Sequence, residues 1–448
     1  MSRKTVNAKN LEALGTERLA ALMLELCAGH SEVKRRVRLE LVHAAGAGAL
    51  AHEIRKRLAT VGRSRGRLDW SKCKAYLADL ATQLDLISDR VAREAPVEAF
   101  ELVWQFLALS PSVFDRLEDR HDALDALCDT AREMLGEIAP RAGMDPEGLA
   151  DRVFEAISED DAGAWSELIL HLGPALGEAG CLRMLDRMAG LAGPSARRVS
   201  LWRRQIADVR GDVDAYLAEL RPEDLQRPGA AAGAAERLME AGRFEAALKL
   251  LEDARGNMPA GVGHVEWDAA YVAVLEALGH VEALQAYCWS CFTTDLSVPH
   301  LRDHLKRLPD FDDIEQEDAA KALALRHPDL ELALVFFLEW PDLAMAAQLV
   351  LSRAEDLDGD RYDLLSPAAD ALEAEHPLAS ILCRRAMILW TLQRERASRY
   401  GYAARHLRTC EHVDAVLADY EGHGDHAAFL RTLRHAHGRK QAFWRRVK

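Results

Sequence analysis

The sequence predicts an all-α protein, an α-solenoid assembled from helical hairpins. Three observations carry that expectation. Apolar residues recur at helical spacing along nearly the whole chain, and period-2 alternation bounded by turn residues is absent. Gly and Pro punctuate the chain at intervals of about one helix or one helix pair, the rhythm of a repeat array. Of 448 residues, 49% are hydrophobic but only 6% aromatic. The balance lies with Ala and Leu, which favour helix.

The elements follow in order. Leu11, Leu14, Leu19, Leu22 and Leu24 open a first amphipathic helix. Helical patterns then run over 33–58, 70–91, 96–109 and 121–138, the first ending before the stretch GRSRGR at 62–67. Breaks are expected at Ser110-Pro111, at 143–146, and at Gly173-Pro174, Gly193-Pro194 and Arg221-Pro222. In the second half they are expected at Pro309, Pro328, Pro341, Pro367 and Pro377. Ser366-Pro367 has the form of an N-cap followed by proline at the first helical position.

The middle of the chain carries a sharper pattern. AGRFEAALKLLEDARGNMPAG, at 241–261, resembles the second helix of a tetratricopeptide repeat. Gly242 makes the turn, Phe244 follows, and Ala247, Leu248, Leu251 and Ala254 form the stripe that meets a neighbouring helix. Pro259 stands where that repeat ends. Trp267, Ala270, Leu275, Gly279, Val281 and Leu284 repeat the scheme loosely, and Gly180 with Leu182 and Leu185 echo it. Three regions result: an N-terminal helical domain with a basic segment at 1–140, tetratricopeptide-like hairpins at 141–308, and a C-terminal helical repeat region with a basic tail at 309–448.

The formal net charge is −15, unevenly spread. Residues 31–75 hold 12 Lys/Arg against 4 Asp/Glu, and 384–448 hold 14 against 6, so the remainder is strongly acidic. The N-terminus MSRKTVNAKNLEALG lacks the apolar core of a signal peptide, and no apolar run reaches the roughly 18 residues of a membrane span. Eight scattered cysteines do not make a disulfide framework. The expectation is a cytoplasmic protein without a membrane partner.

The candidate sites are few. QAYCWSCF, at 285–292, places Cys288 and Cys291 at C-x-x-C spacing, with His300 and His304 nearby as an i, i+4 pair. A redox dithiol wants a helix N-terminus after a strand; this pair falls inside a helical pattern, where cysteines read as core residues. Asp356, Asp358 and Asp360 alternate as in a calcium loop. Arg361 stands where that loop needs Gly, and Pro367 where it needs Glu, so the stretch reads as an acidic interhelical loop. Acidic runs at 158–161 and 311–315 read as solvated helix starts. Nucleotide, nucleophile-elbow and zinc-protease motifs are missing. No cofactor, metal or catalytic residue is expected.

The basic segments are the alternative. Arg55, Lys56, Arg57, Arg63, Arg65 and Arg67 cluster before Trp70, and Arg439, Lys440, Trp444, Arg445 and Arg446 close the chain. Guanidiniums in a loop can meet phosphates while a neighbouring indole stacks on bases.

The C-terminal stretch also carries a resemblance. SRYGYAARHLRTCEH at 398–412 and HAAFLRTLRHAHGRKQAFW at 426–444 resemble an uncharacterised family of bacterial helical proteins. Its helices are similar to the helical region that accompanies SWIM zinc fingers. Cys410 and His412 match the C-x-H half of the SWIM pattern, but no C-x-C half exists here, so no zinc ligand carries over. The resemblance covers about the last 120 residues. It implies a fold and a family neighbourhood, not an activity. The functional expectation is a non-enzymatic scaffold that binds a protein partner, with nucleic-acid association through the basic segments as the alternative.

Overall fold

The computed structural model describes residues 6–30, 33–34, 37, 46–68, 70–117, 123–191, 196–256 and 264–447, with the backbone alone at Lys9, Trp70 and Ser71. Within those residues the chain is helical almost throughout. The one β feature among them is an isolated parallel bridge, where Leu68 N–H donates to the Arg116 carbonyl at 3.0 Å. No helix among them is long and apolar enough to cross a membrane. The expected Gly193-Pro194 break, Pro259 and most of 33–45 lie outside the described residues.

The chain divides into two compact units, Met1–Tyr271 and Val272–Lys448. In the first, helices adjacent in sequence pack as pairs: Pro96–Phe114 on Ala123–Ala142, Pro146–Ser158 on Leu168–Met188, and Pro228–Glu240 on Phe244–Arg255. Ala123–Ala142 also packs on Leu168–Met188, an approach that glycine permits. A Cβ at Gly136 would stand 2.6 Å from the His171 carbonyl oxygen. Asp145 caps Pro146–Ser158 by accepting from Gly148 N–H at 2.7 Å, with Pro146 at the first helical position. Arg152 makes a bidentate pair with Glu101, at 2.6 and 2.9 Å, and lies 4.1 Å from the centroid of the Trp104 ring.

The second unit repeats the scheme. Leu330–Glu339 packs on Leu343–Ser352, Tyr362–Leu372 on Pro377–Gln393, and Pro377–Gln393 on Tyr400–Asp414. Asp329 and Asp342 cap the helices they precede. Pro377–Gln393 is surrounded: Leu378, Ile381, Cys383, Met387, Ile388 and Leu392 are all buried on it.

Several proline and glycine expectations need correction. Pro111 lies inside Pro96–Phe114 rather than ending it. Proline cannot donate to the Leu107 carbonyl, and the Ser110 hydroxyl takes that acceptor at 2.6 Å. Pro174 is internal to Leu168–Met188, and the interruption comes at Gly177, with φ 53° and ψ −165°. Pro367 is internal to Tyr362–Leu372, so Ser366 is no cap; Pro367 and Asp363, whose carbonyl loses its donor, are both exposed. Gly180 is no turn but a buried helical residue packed on the Pro146 carbonyl. The first leucine-rich stretch is split at Gly15 into Ala8–Glu12 and Thr16–Cys27, and Leu11, Leu14 and Leu24 are exposed.

The tetratricopeptide-like stretch forms a helix as expected. Gly242 turns at φ 72°, Phe244–Arg255 follows, and Ala247, Leu251 and Ala254 are fully buried. Trp267, Ala270, Leu275 and Leu284 are buried too, whereas Val281 is exposed.

Candidate functional site

The helix Ala196–Arg210, ARRVSLWRRQIADVR, holds two arginine pairs. Its apolar stripe of Val199, Trp202 and Ile206 is buried, and that rotation sends the members of each pair in different directions. Arg198 turns back to cap the Pro146–Ser158 helix, donating to the carbonyls of Ile157 and Ser158 at 2.5 and 3.2 Å. Arg203 reaches Glu219 at 3.4 Å. Arg197 and Arg204 are left with Ser200 on another face, at i, i+3 and i+7.

That face is one wall of a cavity of about 570 Å³. The chain returns through the short helices Val213–Ala218 and Pro222–Leu225 to supply Glu219, Arg221, Asp224 and Arg227, and then Ala230 in Pro228–Glu240. Four arginines therefore face two carboxylates. Asp224 takes Arg221 in a bidentate pair at 2.7 and 2.9 Å, Arg227 stands 3.5 Å away, and Arg221 also pairs with Glu223, outside the lining, at 3.1 Å. Hydrogen bonding to Arg221, with the added charges of Arg227 and Arg204, holds the Asp224 carboxyl below the ordinary aspartate range. Glu219 is shared with Arg203, outside the cavity lining. Arg197 and Arg204 have no carboxylate partner among the described residues, and the Nε of Arg204 is buried without a hydrogen-bond acceptor. Ser200 is committed, its hydroxyl donating to the Glu219 carbonyl at 2.9 Å.

Helix polarity adds to this charge. Arg197 lies in the first turn of its helix, which carries no acidic residue. A cation at that positive end is disfavoured by a few tenths of a kcal/mol to about 1 kcal/mol unless an anion compensates it. Arg227 occupies the N-cap of Pro228–Glu240 without a side-chain cap; there the Glu266 carboxylate approaches Gly229 from a later helix. Arginine thus outnumbers carboxylate along the cavity lining.

The residues singled out in the sequence fare differently. Arg55 pairs with Glu98, and Arg57 donates to Asp79 at 2.8 Å. Lys56 is exposed. Arg63 ends the helix Ala47–Arg63, and Arg65 and Arg67 follow in the loop. All three are exposed and have no carboxylate partner among the described residues. The Trp70 side chain lies outside the described residues. At the other end Arg439 and Arg445 are exposed, Lys440 pairs with Glu395 at 2.7 Å, and Arg446 reaches the Ala397 carbonyl at 3.5 Å. Trp444 is half-buried. It donates to the His437 carbonyl at 3.0 Å and packs edge-on against the buried Phe443.

The structure separates the members of the cysteine and histidine motifs. Cys288 is fully buried in Val281–Asp295, while Cys291 is half-buried and lies within 4.8 Å of a His300 ring nitrogen. His304 instead stands 3.2 Å from the Gln285 carbonyl and packs on Trp289. Cys410 is buried and His412 exposed on the same helix, so the C-x-H pair faces two ways. Burial pushes the Cys410 thiol up to about 12.

The chain belongs to a family of unknown function, DUF6880, whose family model matches residues 1–195 and 192–446. No curated protein and no solved structure matches it.

Proposed function

We propose that this member of the DUF6880 family is a non-enzymatic, cytoplasmic helical-repeat scaffold, tetratricopeptide-like over its middle hairpins, whose arginine cleft takes an acidic segment of a protein partner. One observation carries the reading: four arginines line one cavity, and two of them, Arg197 and Arg204, have no carboxylate partner among the described residues. In a chain of net charge −15, such a cleft focuses attraction for anions at one place and speeds encounter with an acidic partner. Guanidinium pairs bind carboxylates or phosphates bidentately, with direction as well as strength.

The test is capture of partners from the native cell extract with wild type and with Arg197→Glu/Arg227→Glu, after nuclease treatment. Both side chains are exposed, so the fold is expected to survive, which circular dichroism checks. A nuclease-resistant partner held by wild type and released by the double reversal supports the reading. Identical capture by both proteins removes the cleft from it.

A second reading is association with nucleic acid, to which the SWIM-like character of the C-terminal helices adds. The observation in its favour is the trio Arg63, Arg65 and Arg67, exposed at a helix end and loop without carboxylate partners among the described residues. Arg439, Arg445 and Arg446 form a separate exposed basic set near the C-terminal end. Capture that is nuclease-sensitive, and lost when the trio becomes Ala, would favour this reading over docking at the cleft.

A further inference from the structure

Resting on the docking reading of the same cleft, we infer that the group it anchors is a phosphorylated side chain of the partner, a phosphoryl dianion rather than a carboxylate. The charge balance points there first. Of the lining residues, four arginines stand against Glu219 and Asp224; from outside the lining Arg203 draws on Glu219 and Glu223 pairs with Arg221, so an excess of two positive charges remains. A phosphoryl group brings a charge of about −1.5 to −2 and three acceptor oxygens at neutral pH. A single carboxylate brings one charge and leaves donors over.

The resident carboxylate supplies the second argument. Asp224 sits where an incoming carboxylate would bind, held by both nitrogens of the Arg221 fork with Arg227 beside it. A partner carboxylate that displaced it would exchange one monoanion for another, with little gain. A dianion can draw Arg227 and Arg221 away from Asp224, or bridge them to Arg204 and Arg197, and in either case adds net charge compensation.

The third argument is donor satisfaction. Arg204 lines the cavity with no carboxylate partner among the described residues, and with its Nε buried the terminal guanidinium nitrogens are the donors it can offer a group there. Arg197 lies in a first helical turn that lacks an acidic residue. A group with several oxygens can accept from both helix-borne arginines at once, and an anion there also compensates the positive helix end. The cavity, about 570 Å³, has room for a modified side chain together with the peptide on either side of it.

The test uses the full chain and a fluorescent pentapeptide with a central serine between glutamates, in plain, phosphoserine and aspartate-substituted forms. Anisotropy is measured at one fixed ionic strength, with free phosphoserine and inorganic phosphate as competitors. The phosphoserine form is expected to bind about ten-fold or more tighter than the aspartate form. Arg197→Gln, at an exposed position, and Arg204→Lys should each shrink that ratio while leaving the circular dichroism unchanged. Equal affinity for the phosphoserine and aspartate peptides overturns the phosphoryl inference but leaves acidic docking standing. Free phosphoserine or phosphate competing as tightly as the peptide also overturns it, and assigns the cleft to a small phosphorylated molecule. Absence of binding by all three peptides sinks both this inference and the docking reading.

Discussion

The backbone of Gly359 lies so close to Ala386 that a Cβ on the glycine would overlap the Ala386 carbonyl oxygen and stand 2.6 Å from the Cβ of Trp390. The acidic loop that mimics a calcium site is therefore docked on the helix Pro377–Gln393. Arg399 fastens it further, donating to Asp360 at 2.9 Å with its guanidinium 4.8 Å from the Tyr362 ring centroid. Gly359→Ala should destabilise the second unit by about 1–3 kcal/mol, since the obstacle is backbone and cannot turn aside. A lower urea midpoint checks this; an unchanged midpoint would mean the loop lifts away freely.

His406 makes the second unit sensitive to mild acid. It is 8% exposed, with Nδ1 3.3 Å from the Arg384 guanidinium, which also pairs with Asp370 and Glu373. Burial, and then the Arg384 charge, lower its pKa to about 4. The unfolded chain takes up this proton near pH 6.5, the folded chain only near 4, so stability is lost as pH falls through that window. The loss between pH 7 and 5 should be about 2 kcal/mol. Burial lowers His426 and His437 in the same direction, so their effect adds to it. Urea midpoints at the two pH values should differ less in His406→Gln than in wild type; parallel behaviour would show that His406 does not carry the slope.

The thiols should divide into two classes. Cys27 and Cys291 are half-buried, and the other six cysteines are buried. Burial pushes Cys383 up to about 12 and Cys128 to about 11. In native protein at pH 8, a thiol reagent should label Cys27 and Cys291 quickly and the others only after urea, because the thiolate is the reactive form. Mass spectrometry locates the labels. Rapid labelling of Cys288 would contradict its placement in the core.

The nucleic-acid reading has a quantitative signature. Three loop-side arginines that neutralise three phosphates should give a slope of log affinity on log salt of about −3 for duplex DNA. Changing Arg63, Arg65 and Arg67 to Ala should abolish that slope together with the binding. Anisotropy over a salt series measures both, and affinity that survives the triple change would place contact elsewhere.

Helices were legible in the sequence wherever one face is apolar, as in Phe244–Arg255, because helical periodicity is a local property. Their ends at Asp145-Pro146 and Pro377 were legible for the same reason: capping and proline chemistry act within a few residues. The prolines at 111, 174 and 367 were not. Whether a proline ends a helix depends on what satisfies the freed carbonyl, and at Pro111 that is the hydroxyl of Ser110.

The arginine cleft shows where local reading stops. Residues 196–230 hold 7 Lys/Arg and 6 Asp/Glu, so counting makes the segment look neutral. The i, i+3, i+7 spacing of Arg197, Ser200 and Arg204 is a local signal of a shared face, and it went unread. The sequence by itself determined an all-helical chain, its amphipathic stripes, and the basic stretches near its ends. Tertiary structure alone decided which of those charges are spoken for. Arg57 meets Asp79, Arg210 meets Glu178 and Arg237 meets Asp208, across 22, 32 and 29 residues, while Arg204 meets no carboxylate among the described residues. A salt bridge needs two side chains within about 4 Å. That distance is set by how helices far apart in sequence cross, which no run of neighbouring residues records.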